Sequence, residues 1–220
     1  MATKRKVNNL LALAVLSVIV ERPMHRYEIA ATLKDRGKDR DMDIKWGSLY
    51  TVVQNMAKAG FLEVVGSERD GARPERVIYR ITDAGRAEMA DWTRELLSTP
   101  ETEHHHFTAG LSILAVLPPE EVVELLGTRI AALDEIIDRT RADLAALAGT
   151  LPRLFVVESE FGLAMLEAEA AWARGLREEL RAGTFSGQDL WRQWHAEGMR
   201  ADRIADFTEG GAAPDQHDQH

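Results

Sequence analysis

Within Ile44-Lys45-Trp46-Gly47-Ser48-Leu49-Tyr50-Thr51-Val52-Val53-Gln54-Asn55-Met56 two chemistries are interleaved at helical spacing. Leu49, Val52, Val53 and Met56 fall at i, i+3, i+4 and i+7, one apolar face of an amphipathic helix. Ser48, Thr51, Gln54 and Asn55 fall on the opposite face, and each carries a hydrogen-bonding side chain. Ser48 is the expected N-cap and Gly60 the expected glycine past the C-terminus. As the second helix of a helix-turn-helix, such a segment enters the major groove with its N-terminal residues at the base edges. Gln and Asn can pair bidentately with adenine, and the free N–H groups of a helix N-terminus bind phosphate. An ordinary amphipathic helix with a wet outer face has the same pattern, so the flanking sequence has to decide.

Upstream, Lys4-Arg5-Lys6 and the apolar run Leu10 to Val20 imitate a secretory signal. The run ends in Glu21-Arg22-Pro23 with no small-x-small site, and it is shorter than the roughly 20 residues that span a bilayer. It reads instead as a buried helix over residues 7–21, capped by Asn8 or Asn9 and stopped by Pro23, in a soluble cytoplasmic protein. Pro23-Met24-His25 is a break. A second helix follows over 27–36, with Tyr27, Ile29, Ala30 and Leu33 on its inner face and Gly37 at its end. Residues 38–45 read as a loop.

Downstream, Phe61 to Val65 and Arg76 to Ile81 have strand composition, and the charged segment 66–75 between them holds Gly71 and Pro74. Thr82-Asp83 opens another helix running to about Leu97. Helix, helix, helix, strand, strand, helix is the order of a winged helix-turn-helix, three helices and a two-stranded wing, here placed in residues 1–97.

The chain of 220 residues has a net charge of −9, which on average argues against a nucleic-acid partner. The average hides a division. Residues 1–86 hold 16 Lys+Arg against 11 Asp+Glu, and residues 87–220 hold 11 against 25. Such asymmetry is what a polyanion-binding module joined to something else produces. Lys45, Arg73 and Arg76 are the expected phosphate contacts; Thr51, Gln54 and Asn55 are the expected base contacts. Lys4-Arg5-Lys6 fits either a phosphate-binding arm or a solubilising terminus.

The second half reads as helical, with a linker over 98–106, a dimerisation domain over 98–207 and a disordered tail over 208–220. Pro118-Pro119-Glu120-Glu121 opens a long helix. Val123, Leu126, Ile130, Leu133, Ile137, Leu144 and Leu147 form a seam spaced by 3 and 4, interrupted at Thr140. The seam needs a partner helix, from the same chain or from a second copy. Gly149-Thr150-Leu151-Pro152 breaks it, and further helices are expected over 154–181 and 190–207. Trp172 shares a face with Phe161, Met165, Ala168 and Leu176, a composition suited to core, interface or a small-molecule pocket.

Chemistry is harder to find. Adjacent residues of His104-His105-His106 point about 100° apart on a helix and do not converge on a metal. The absence of cysteine excludes disulfides and thiolate ligands, and no nucleophile, phosphate-loop or zinc motif occurs. No enzyme, cofactor or metal site is expected.

Five motifs in order carry a resemblance: Leu-Ala-Leu-Ala-Val-Leu at 11–16, His25-Arg26-Tyr27-Glu28-Ile29, Gly47-Ser48-Leu49-Tyr50, Gly60-Phe61-Leu62, and Tyr79-Arg80-Ile81-Thr82-Asp83-Ala84-Gly85-Arg86. Together they resemble the PadR-like family of bacterial transcriptional regulators, whose longer members dimerise through extra C-terminal helices. The resemblance implies a homodimeric winged-helix repressor on an inverted repeat of double-stranded DNA, released in some members by phenolic or other hydrophobic effectors. Tyr27, Gly47, Ser48 and Tyr50, which lie within these motifs, belong to the expected DNA-binding set. The chain departs from the family at Arg26, usually glycine, and at Thr51, usually proline; Asn55-Met56-Ala57 stands where Arg and Glu are common. Arg26 is then expected as an added phosphate contact. A winged-helix adaptor that binds another protein is the alternative reading.

Overall fold

The first core is organised around α1 (Leu10–Ile19), a helix with almost no polar face, eight of whose residues are buried. Asn9 caps it by accepting a hydrogen bond from the Leu11 N–H at 2.9 Å. It is shorter than expected, ending at Ile19 ahead of Pro23. The computed structural model describes residues 5–7, 9–38, 46–68, 76–100 and 105–198, in two compact units, Met1–Thr102 and Glu103–His220.

Met24 and His25, expected as a break, form a short strand, β1 (Met24–His25). It pairs antiparallel with β3 (Arg76–Ile81), Met24 opposite Tyr79 and His25 opposite Ile78. The sheet is therefore three-stranded in the order β1-β3-β2 rather than a two-stranded wing. Two residues carry no period-2 signal; only the partner strand makes them a strand. His25 then caps α2 (Arg26–Asp35) in a reciprocal box. Its Nδ1 accepts from the Glu28 N–H at 3.2 Å, and Glu28 Oε2 accepts from the His25 N–H at 3.0 Å. Ile29 and Leu33 are buried, whereas Tyr27, expected inside, is 59% exposed. Tyr27 lies two residues before Ile29, about 200° around the helix, and so on the outer side.

A 3₁₀ turn, Trp46–Ser48, runs directly into α3 (Leu49–Lys58). Ser48 makes no side-chain cap bond, because its backbone is already helical (φ −93°, ψ −8°) and a capping side chain needs an extended backbone. The buried residues of α3 are Leu49, Val52, Val53 and Met56, the four expected from spacing. Gly60 leaves the helix at φ +83°. β2 (Leu62–Glu68) extends beyond the expected Val65, and its pairing with β3 shifts register between Val64 and Gly66.

Thr82 ties the sheet to α4 (Asp83–Ser98): its Oγ1 accepts from the Gly85 N–H at 3.0 Å and donates to the Gly60 carbonyl at 2.7 Å. Gly85 has to be glycine here, since a Cβ would lie 2.2 Å from the Phe61 carbonyl oxygen. Arg5 is folded onto α4, bound to Glu88 at 2.7 Å and to Glu95, with its guanidinium 5.2 Å from the Trp92 ring centroid.

The second unit begins with α5 (His106–Ser112), which starts where the linker was expected to end. His104 lies outside the described residues, as do Phe207 and the expected tail 208–220. α6 (Pro119–Leu147) starts with proline and two acids as expected, and folds back on α7 (Val157–Ala182). Leu126 and Ile130 pack with Ala173, Leu180 and Trp191; Leu133 and Ile137 pack with Ala170. The middle of the seam thus closes within the chain, and Leu126, Ile130, Leu133 and Ile137 do not form a free dimer face. A helix joined by a short turn reaches the seam at a lower closure entropy than a separate molecule does. Val123 and Leu144 are half-buried and Leu147 is exposed. Arg129–Glu169 and Arg141–Glu167 pairs flank the hairpin. Gly183 ends α7 at φ +72°, and α8 (Gln188–Ala196) follows. Trp191 Nε1 donates to the Leu117 carbonyl at 2.9 Å. Among the described residues no helix is long and apolar enough to cross a membrane.

Candidate nucleic-acid interface

With its apolar face buried, α3 turns Tyr50, Thr51 and Asn55 to solvent and leaves Gln54 half-buried. Tyr50 and Gln54, four residues apart on one side of the helix, are joined: Gln54 Nε2 donates to Tyr50 Oη at 2.6 Å. Gly47 is exposed, and a Cβ there would meet nothing within 4 Å, so the packing of this unit does not require the glycine.

Because β1 pins the start of α2 to β3, residues from three elements meet beside this face. The Arg26 guanidinium lies 4.8 Å from the Tyr50 ring centroid and 5.0 Å from that of Tyr27. Arg76, the first residue of β3, stands 6.0 Å from the Tyr27 ring. Arg26 Nη2 also donates to Tyr27 Oη at 3.2 Å. That hydrogen bond, followed by the charges of Arg26 and Arg76, holds the Tyr27 phenol below its usual pKa. Arg26, expected as an added phosphate contact, lies over two aromatic rings.

On the other flank of α3 a groove of about 450 Å³ is lined by Lys6, Val7, Asn9, Ser48, Thr51, Val52 and Asn55. It brings together Ser48, Thr51 and Asn55 from the expected set and adds Lys6. The basic arm is divided: Arg5 pairs with acids of α4, Lys6 lines the groove, and Lys4 lies outside the described residues. Sequence reading could treat Lys4-Arg5-Lys6 only as one run, since the acids that capture Arg5 are more than 80 residues away.

Lys45 and Arg73 lie outside the described residues, as does the whole wing tip, 69–75. Much of the remaining positive charge is paired locally. Arg22 holds Glu28, Arg36 holds Glu21 and Arg80 holds its cross-strand neighbour Glu63. Among the described residues, Arg26 lies against Tyr50 of α3, Lys6 lines the groove beside the helix, and Arg76 stands against Tyr27. Among the described residues no group of three His, Asp or Glu side chains is placed to hold a metal ion.

The fold has counterparts among solved structures. Bacillus subtilis PadR in complex with operator DNA shares the fold at TM-score 0.64 and 17% identity, over 78% of this chain and 99% of that one. The same protein in complex with p-coumaric acid gives 0.63 and 16%, over 79% and 99%. The Vibrio cholerae virulence activator AphA gives 0.54 and 20%, over 78% and 98%. No curated protein matches the chain in sequence. Residues 15–91 match the model described as the transcriptional regulator PadR-like family. By that match residues 15–91 are similar to the PadR-like family of transcriptional regulators, and the solved structures share the winged-helix fold.

Proposed function

We propose that this chain is a cytoplasmic, sequence-specific DNA-binding regulator that acts as a homodimeric repressor on an inverted repeat. One observation carries the reading. The polar face of α3 (Thr51, Gln54, Asn55) stands exposed or half-exposed, with Lys6 in the groove on one flank and Arg76 beside Tyr27 on the other. A polar face that offers donors and acceptors, flanked by cations, suits a major groove lined by phosphates. Lys45 and Arg73 would add phosphate contacts, and Gly47 would let the backbone approach the DNA closely. Residues 1–97 would form the DNA-binding domain and 98–207 the dimerisation domain.

Self-association has its own support. Phe161, Met165, Ala168 and Trp172 lie exposed along one side of α7, at the spacing of a helix-packing stripe. With the seam of α6 closed within the chain, this stripe is the surface that a second copy would cover. A dimer would set two α3 helices about 34 Å apart, one turn of DNA. A small hydrophobic or phenolic effector is proposed as the release signal, by likeness to the PadR structure with p-coumaric acid. The chain would act without an enzymatic step.

Selection of bound DNA from a random pool tests the reading. An enriched inverted repeat is the expected result; enrichment of no sequence by the full chain overturns it and leaves the adaptor reading. Arg73→Ala should weaken binding to all sequences alike and lower the slope of log K against log salt by about one.

A further inference from the structure

We infer that Arg26 is a specificity-determining positioning residue: stacked against Tyr27 and Tyr50, it fixes the Tyr50 hydroxyl that in turn orients the Gln54 amide for base readout. The inference rests on the DNA-binding reading above and concerns the same site.

The geometry forms a chain of constraints across two helices. The start of α2 is anchored by β1 and by the His25–Glu28 capping box. Arg26 projects from that anchored turn onto the Tyr27 ring at 5.0 Å and the Tyr50 ring at 4.8 Å. A planar, delocalised guanidinium is attracted to ring faces, and its hydrogen bond to Tyr27 Oη at 3.2 Å fixes its remaining freedom. Tyr50 is 49% exposed, so burial alone does not set its ring. Its Oη accepts one amide N–H from Gln54 at 2.6 Å. Gln54 keeps its second N–H and its Oε1, the donor and acceptor that adenine N7 and N6–H₂ require. A glutamine already held in one rotamer loses less freedom on docking than a mobile one, so the pinning favours the base that matches its geometry. With its positive charge lying on the rings, Arg26 is occupied in orienting the readout residue.

The test uses the full chain and an inverted repeat selected from a random pool. Affinities for that repeat and for its single-base-pair variants are measured across salt for the unsubstituted chain and for Gln54→Ala, Tyr50→Phe, Arg26→Ala and Arg26→Lys. Gln54→Ala identifies the base pair that Gln54 reads. Arg26→Ala, Arg26→Lys and Tyr50→Phe are each expected to lose about tenfold of discrimination at that same pair, with the salt slope unchanged. Lysine keeps the charge but cannot stack as a plane. If Arg26→Ala weakens every sequence alike and lowers the slope by about one, Arg26 is a phosphate contact and the inference is overturned. It is likewise overturned if Arg26→Lys discriminates as well as the unsubstituted chain. If the unsubstituted chain selects no DNA, the DNA-binding reading itself fails. A measurement without DNA adds a separate check. The Gln54 side-chain amide resonances of the free protein should shift in Tyr50→Phe and Arg26→Ala, and unmoved resonances would overturn the proposed coupling.

Discussion

The two units solve the burial problem in opposite ways. The N-terminal unit gathers α1, α2, α3 and the sheet around one continuous core in which Leu11, Ile29, Leu33 and Met56 are essentially inaccessible. Its two exposed tyrosines, Tyr27 and Tyr50, lie at the candidate interface. The C-terminal unit is a helical hairpin with α8 at one end and two small clusters along it. It leaves Phe161 67% exposed, Met165 50% and Trp172 51%. The first unit closes one continuous core and leaves Val64 and Leu97 exposed away from it; the second leaves a helical stripe of apolar side chains, as expected of a surface that another molecule covers.

The largest test of the comparison is Gly85→Ala. A methyl group 2.2 Å from the Phe61 carbonyl oxygen meets backbone, so the sheet and α4 must separate. We expect a loss of about 3 kcal/mol or more, read by chemical denaturation with fluorescence of Trp46 and Trp92. A loss below about 1 kcal/mol would show that the first core is looser than described. Next is Leu133→Ala in the hairpin, at a side chain 6% exposed. A cost of about 2–5 kcal/mol is expected if the seam closes within the chain, and it should not vary with protein concentration in conditions where the chain is monomeric.

Phe161→Ser combined with Met165→Ser should do the reverse. The monomer keeps its stability, while self-association weakens tenfold or more, about the loss of one good interface anchor. Light scattering after size exclusion should show the unsubstituted chain at twice its 24.6 kDa mass and the variant at the lower mass. Equal masses for both proteins would remove the stripe from the dimer. Arg5→Ala is expected to cost about 1 kcal/mol, because its two carboxylate partners are partly exposed. It should leave the salt dependence of DNA binding unchanged, unlike a substitution at Lys6.

What was legible in the sequence follows from the range of each signal. The buried face of α3 could be read because Leu49, Val52, Val53 and Met56 repeat at the helical period within one segment. The α1 core helix and the strand Arg76–Ile81 were legible for the same local reason. β1 was not, because two residues become a strand only through Tyr79 and Ile78, more than 50 residues further on. The tether from Arg5 to Glu88 and Glu95 and the stacking of Arg26 on Tyr50 are equally non-local. The heptad seam could be seen, but periodicity states that a partner exists and not which helix it is. Only the packing of α7 onto Leu126, Ile130, Leu133 and Ile137 identifies it.

The smallest effect tests how firmly the first unit holds the start of α2. Burial disfavours the Glu28 carboxylate, but the His25 backbone N–H and the Arg22 guanidinium outweigh it and lower its pKa from the usual value. A carboxyl group whose folded pKa is depressed stabilises the fold above its unfolded pKa, and the contribution fades as pH falls through the depressed value. Glu28→Gln keeps the acceptor for His25 and removes the charge. Since the Glu28 side chain is 36% exposed, solvent screening leaves an expected cost of only about 0.5 kcal/mol at pH 7. The difference between the two proteins should vanish below the depressed pKa, where both side chains are neutral. Denaturation midpoints followed from pH 7 down into acid, until they no longer differ or no longer change, provide the measurement. A penalty that persists to the acid end of the series would mean that the shape of the capping box, rather than its charge, holds α2 in place and carries Arg26 and Tyr27 to the face of α3.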